Sequence, residues 1–162
     1  MAARGWTCSL PKDHNVRRYT MLTLLTAAVL AALTGLVGVA PASATTTREA
    51  RMIAKINYAR AAHGLPALHV SRDLTAAART HSASMASSSL LFHSSTLTSL
   101  CCYRLIAENV GEGGTLSIVH SAFMNSAPHR ANILNSRIGQ VGVGVVSAGG
   151  ELWITEVFRQ HS

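Results

Sequence analysis

The chain has 162 residues, with fourteen Lys and Arg against seven Asp and Glu, a formal charge of +7 and only eight aromatic residues among Phe, Trp and Tyr. The basic residues are dispersed along the sequence and the aromatics are few, which argues against nucleic-acid readout. Three Cys without a Cys-x-x-Cys pair argue against a zinc knuckle or a thioredoxin-type site.

The first 44 residues read as an address. Arg4, Lys12, Arg17 and Arg18 give a positive start, Met21 to Ala40 is uncharged and rich in Leu, Ala and Val, and Ala42-x-Ala44 is the small-x-small pattern of a signal-peptidase site. Cleavage is expected after Ala44, leaving residues 45–162 as one exported domain without an integral membrane segment. The apolar run is long enough to span a bilayer, so a retained anchor is the alternative. Residues 45–162 keep ten Lys and Arg against six Asp and Glu, a mild positive excess that suits an anionic cell surface and bears on solubility and weak attraction, not on fold. Cys8 leaves with the leader. Cys101 and Cys102 remain, adjacent to one another. They read as two buried thiols acting as small hydrophobes, with a strained vicinal bridge or an intermolecular bond as the alternatives.

Thr46 with Glu49 three residues on forms a capping-box pattern, and a helix is expected over residues 48–62 with Met52, Ile53, Ile56 and Ala59 as its buried stripe. Arg48, Arg51 and Lys55 fall on another, solvated face. Gly64 and Pro66 stop it. Leu65, Leu68 and Val70 tuck a linker against the core. Ser71 is a suitable N-cap for a second helix over residues 72–86, with Leu74, Ala77, Ala78, His81 and Met85 on one face. A lone histidine there reads as a hydrogen-bonded core residue.

Residues 90–114 look irregular, with short extended pieces, and a long irregular stretch in a small domain is often functional. Gly111-Glu112-Gly113-Gly114 reads as a turn rather than a phosphate cradle, since no phosphate-loop lysine follows. Thr115 caps a third helix over residues 116–125, with Leu116, Val119 and Phe123 inward and His120 at the surface. Pro128 suits the first turn of a short fourth helix. Val141, Val143 and Val145 alternate with Gly142 and Gly144, and these small residues leave one strand face open to close packing by a helix. Residues 147–150 make a hairpin turn. On the return strand Leu152, Ile154 and Phe158 share one side, and Trp153, Thr155 and Val157 the other. The elements predict an α+β domain with helices on both faces of a small antiparallel sheet.

Three stretches carry the candidate chemistry: Leu91-Phe92-His93, Ala107-Glu108-Asn109-Val110-Gly111, and Ser126-Ala127-Pro128-His129-Arg130-Ala131-Asn132-Ile133-Leu134. Two neutral imidazoles and a carboxylate are donors zinc accepts, with a position left for water. Glu108 can equally serve as a base or fix a histidine tautomer. There is no Gly-x-Ser-x-Gly elbow and no His-Glu-x-x-His helix.

Together and in this order, the three stretches resemble the bacterial SCP-domain branch of the CAP superfamily, which groups cysteine-rich secretory proteins, antigen 5 allergens and pathogenesis-related class 1 proteins. The resemblance runs from about Arg51 to Phe158. It implies a three-layer α-β-α sandwich and a cleft on which His93, Glu108 and His129 converge, supported by Asn109, Ser126, Arg130 and Asn132. Asn109 and Asn132 are expected to tie loop backbone, and Arg130 to pair with Glu108. Many eukaryotic members add a second glutamate from the third helix. No acid lies between Glu112 and Glu151 here, which leaves water, Asn125, Ser126 or, more remotely, Glu156 to fill that place. The resemblance implies binding of a small amphipathic or cell-envelope ligand (lipid, sterol or glycan) by a secreted or envelope-associated protein. A divalent metal, zinc, is left open. The alternative function is a metal-assisted, peptidase-like hydrolase with His93 and His129 as ligands and Glu108 as base.

Overall fold

Residues 46–161 are described by the computed structural model; the expected leader, its expected cleavage site and Cys8 lie outside the described residues. Helix α1 spans Thr47–Ala62 and opens on the expected capping box: the Thr46 hydroxyl accepts from the Glu49 amide at 3.3 Å and the Glu49 carboxylate accepts from the Thr46 amide at 2.7 Å. Gly64, at φ +70°, ends it. Met52, Ile53, Ile56 and Ala59 are buried as the spacing requires, and so is Arg60. Its guanidinium donates to the carbonyls of Pro66, Ile133, Asn135 and Ile138 at 2.8–3.3 Å. A buried cation with its donors engaged by backbone acceptors ties the loops at that end of the domain to α1.

Strand β1 is short, His69–Val70, and helix α2 runs Arg72–Ser88. Ser71 stands at the α2 N-cap but makes no side-chain cap bond. Its hydroxyl donates to the Asp73 carboxylate and accepts from Arg159 instead. Arg159 is buried, and Asp73 and Gln140 also hold it.

Strand β2 occupies Tyr103–Gly113, followed by α3 (Leu116–Asn125), α4 (Ala127–Ile133), β3 (Gln140–Ala148) and β4 (Glu151–His161). The long β2 corrects the reading of residues 90–114 as irregular. It pairs antiparallel with β4 from Tyr103 to Gly113. Its sequence hides it: Ala107-Glu108-Asn109-Val110-Gly111 buries polar or small residues toward both sides, so no apolar alternation marks it.

The sheet order is β1-β3-β4-β2, antiparallel except for the two-residue β1, which lies parallel to β3. Helix α2 covers one face, where Leu74 and Ala78 meet Leu97 and Val157. On the other face α1, α3 and α4 bring Met52, Ile56, Val119, Phe123 and Ile133 against Val141, Val143, Ile154 and Phe158. This is the three-layer α-β-α sandwich. The glycines of β3 act as expected. A Cβ on Gly142 would meet the backbone of Leu74 and Thr75, and one on Gly144 the backbone of Ala78 and Arg79, far inside contact distance.

Candidate functional site

β2 is an edge strand, and its alternation divides the predicted site between the two faces of the sheet. Glu108 points to the α2 face. Its carboxylate is buried, and its Oε1 accepts from His93 Nδ1 and from the Ser94 amide, both at 2.9 Å. His93 itself is largely exposed. Since Nδ1 donates to the carboxylate, the neutral ring leaves Nε2 as an acceptor toward the surface. On the other side of the carboxylate stands His81, from the buried stripe of α2. Its Nε2 donates to the Phe92 carbonyl at 2.7 Å and lies 3.9 Å from Glu108 Oε2. The His81 and Phe92 rings meet edge to face at 5.0 Å. Glu108 Oε2 is buried without a hydrogen-bond partner among the described residues.

Asn109, the next residue, points to the opposite face and is fully buried. Its amide donates to the His129 carbonyl at 3.2 Å and to Glu156 Oε2 at 2.9 Å, while its Oδ1 accepts from Asn132 at 2.9 Å. Asn132 also donates to the Glu108 carbonyl at 3.3 Å. The two asparagines thus tie α4 to the edge strand. His129 is half-buried, its Nδ1 2.9 Å from Ser126 Oγ and its ring 5.1 Å from that of Phe123. Burial, reinforced by the nearby His93, holds its pKa below the usual imidazole value. His93 and Glu108 are therefore in direct contact, and His129 is joined to them through Asn109, Asn132 and the backbone, within electrostatic reach of His93.

A surface pocket of about 320 Å³ lies on the α2 side. His81, Phe92 and Ser94 line it together with the hydroxyls of Thr80, Ser84 and Thr96. It offers an aromatic wall, several hydroxyls and no charged side chain.

The family model described as CAP, the cysteine-rich secretory protein family, matches residues 53–158. The chain belongs to the CAP family. Uncharacterized protein YkwD of Bacillus subtilis (strain 168) is 30% identical over 121 residues, which cover 68% of this chain and 47% of that protein. The chain thus spans about half the length of this curated relative. Among solved structures, an extracellular SCP-domain protein from Bacillus anthracis str. Ames superposes with a TM-score of 0.62 at 23% identity, over 70% of this chain and 40% of the other. An outer surface protein from Borrelia burgdorferi gives a TM-score of 0.67 at 16% identity, over 74% of this chain and 96% of the other.

Glu108 Oε1 is engaged by His93 and Ser94, and among the described residues no three His, Cys, Asp or Glu side chains are grouped to hold a metal ion. Glu156 does not restore the missing acid. It is wholly buried beneath Asn109, and burial raises its pKa to about 8. Arg130 corrects another expectation: its guanidinium lies 3.0 Å from His63 Nε2, at the surface, instead of pairing with Glu108. His120 is half-buried rather than exposed. Its Nδ1 lacks a partner among the described residues, and burial together with Lys55 lowers its pKa.

Two residues of the network carried little or no functional weight in the sequence. His81 is the buried, hydrogen-bonded core residue its helix stripe indicated, bonded to the Phe92 carbonyl; the stripe does not report that Glu108 lies opposite. Glu156 could be assigned to its strand face but not to Asn109, because that pairing depends on the register of β2 against β4.

Proposed function

We propose that this CAP domain is an exported binding protein whose groove at the edge of the sheet, between His93, Glu108 and His129, takes a small amphipathic or cell-envelope ligand. One observation carries the reading. Glu108 is buried with one oxygen hydrogen-bonded and the other without a donor, and two of its neighbours, His81 and Ser94, also line a pocket of ligand size on the α2 side. A buried acceptor left unsatisfied is costly, and a ligand that displaces the His81 ring from its place between the pocket and Oε2 would bring a hydroxyl or amide to it. The phenyl ring of Phe92 offers the apolar contact. Asn109, Ser126 and Asn132 hold His129 and α4 in position across the strand edge. Export rests on the leader pattern in residues 1–44 and agrees with the extracellular and outer-surface proteins that share the fold.

A binding role is favoured over a metal-assisted hydrolase because the donor set falls short of a catalytic zinc site. The test is native mass spectrometry of protein purified from culture medium, before and after exposure to an extract of the producing cell's envelope. Wild type is expected to retain a discrete small molecule. Glu108→Gln replaces an acceptor oxygen with an amide donor and is expected to weaken retention about tenfold, equivalent to ~1.4 kcal/mol. Equal retention by a folded Glu108→Gln protein would count against the groove. Elemental analysis of the same preparation is expected to give zinc well below one equivalent per chain.

A further inference from the structure

The cysteines contribute nothing to the groove, yet they are not the buried hydrophobes their sequence suggested. Cys101 is exposed and Cys102 half-buried. They lie between the 3-10 turn Leu97–Ser99 and the start of β2, where the register against β4 shifts between Tyr103 and Leu105. Cys102 Sγ donates to Cys101 Sγ at 2.9 Å. The backbone holds them in this arrangement: Cys102 has φ +67°, a left-handed conformation that non-glycine residues seldom adopt and that is enriched where function requires it. The Cys101 carbonyl also accepts, at 3.5 Å, from Arg159, which is itself fixed by Asp73 and Gln140.

We propose that Cys101 and Cys102 form a site of thiol–disulfide exchange, with Cys101 the entry thiol and Cys102 the resolving one. Its co-reactant is a disulfide, R–S–S–R. Attack requires a thiolate and access to the sulfur, and of the two thiols Cys101 has the access. Cys101 Sγ, its proton lost to solvent, attacks one sulfur of the co-reactant. The R–S–S–R bond breaks, the mixed disulfide Cys101–S–S–R forms, and one RS⁻ leaves. Cys102 then loses its proton, its Sγ attacks Cys101 Sγ, the bond to the R group breaks, and the second RS⁻ leaves. The two cysteines together lose two electrons, and the co-reactant is reduced to two thiols. A resolving thiol already in contact with the entry sulfur makes the second step intramolecular, an advantage that outweighs the strain of a ring between adjacent residues, so the mixed disulfide does not persist. An export-directed chain meets disulfides in an oxidising compartment, which provides the co-reactant by class.

The experiment uses the full chain carrying Cys8→Ser, so that only the pair is scored, with glutathione disulfide as the probe. After acid quench and alkylation, intact-mass and peptide mass spectrometry should find Cys101 and Cys102 joined to each other, with neither alkylated and no glutathione retained. Reduced glutathione in excess should reverse this. Cys102→Ser should trap a stable glutathione adduct on Cys101, and Cys101→Ser should react at least several-fold more slowly. Circular dichroism checks that both variants fold, and the mass of the protein with both cysteines present decides closure without them. Persistent glutathione adducts when both cysteines are present, disulfide-linked dimers, or no reaction would overturn the proposal. Equal trapping rates in the two single variants would overturn the assigned order of attack.

Discussion

At the scale of single residues, His129 gives the most direct reading of the electrostatics beside the edge strand. Burial lowers its pKa first, and the neighbouring His93 lowers it further. In the folded state it therefore holds its proton less firmly than in the unfolded chain, so stability is lost as pH falls through the ordinary imidazole range. Replacing His93 by Ala removes the charge but not the burial. In an NMR titration, His129 is expected to titrate below the usual value in wild type and to move upward, without fully recovering it, in His93→Ala. An unchanged midpoint would mean that the two rings do not sense each other. His93, Glu108, Asn109, Ser126, His129 and Asn132 are legible in the sequence only through the resemblance of their three stretches to the CAP pattern; the hydrogen bonds that link them depend on the fold. His81 is legible as a buried helix residue, but its approach to Glu108 at 3.9 Å is not, since the two meet across a layer boundary that only the packing of α2 on the sheet creates.

Among the elements, the helices and the terminal hairpin were legible and the edge strand was not. Period and cap agree for α1 at Thr46, Glu49 and the apolar stripe, while for α2 the apolar stripe suffices without a side-chain cap bond from Ser71. The hairpin was legible too, because Val alternation and a Gly149-Gly150 turn are local signals. β2 is specified by its long-range pairing with β4, and its inward Glu108 and Asn109 make hydrogen bonds in place of apolar contacts. The glycines of β3 are the reverse case, a local composition with a definite packing consequence. α2 rests directly on the strand at Gly142 and Gly144, where a methyl group would enter helix backbone rather than a movable side chain. Either Gly142→Ala or Gly144→Ala is expected to destabilise the domain at or above the upper end of the ~1–3 kcal/mol typical of overpacking. Chemical denaturation should detect this as a lowered midpoint with a similar slope. Gly139→Ala, with open space at its Cβ, is the control and is expected to shift the midpoint far less.

For the whole molecule, the charge balance says less than the placement of a few charges. Among the described residues no helix is long and apolar enough to cross a membrane. The groups that shape stability across pH are internal. Burial works against the charged forms of Glu49 and Asp73, but hydrogen bonds from Arg79 and Thr46 to the first, and from Arg159 and Ser71 to the second, outweigh it and hold both pKa values down. Their contribution is present above the unfolded carboxylate range and is lost as pH falls through the folded values. Glu156 has the opposite sign. Burial keeps it protonated up to about pH 8, against an ordinary value of 4.5. Between those limits the unfolded chain has released the proton while the folded chain keeps it, so rising pH favours unfolding. Glutamine preserves an oxygen that can accept from Asn109 and cannot ionise. The difference in melting temperature, Glu156→Gln minus wild type, should be flat below about pH 4.5, climb through neutrality and level off above about pH 8. A difference constant across that range would mean that Glu156 ionises alike in the folded and unfolded chain, and the asparagine network would then be resting on a carboxylate instead of a neutral acid.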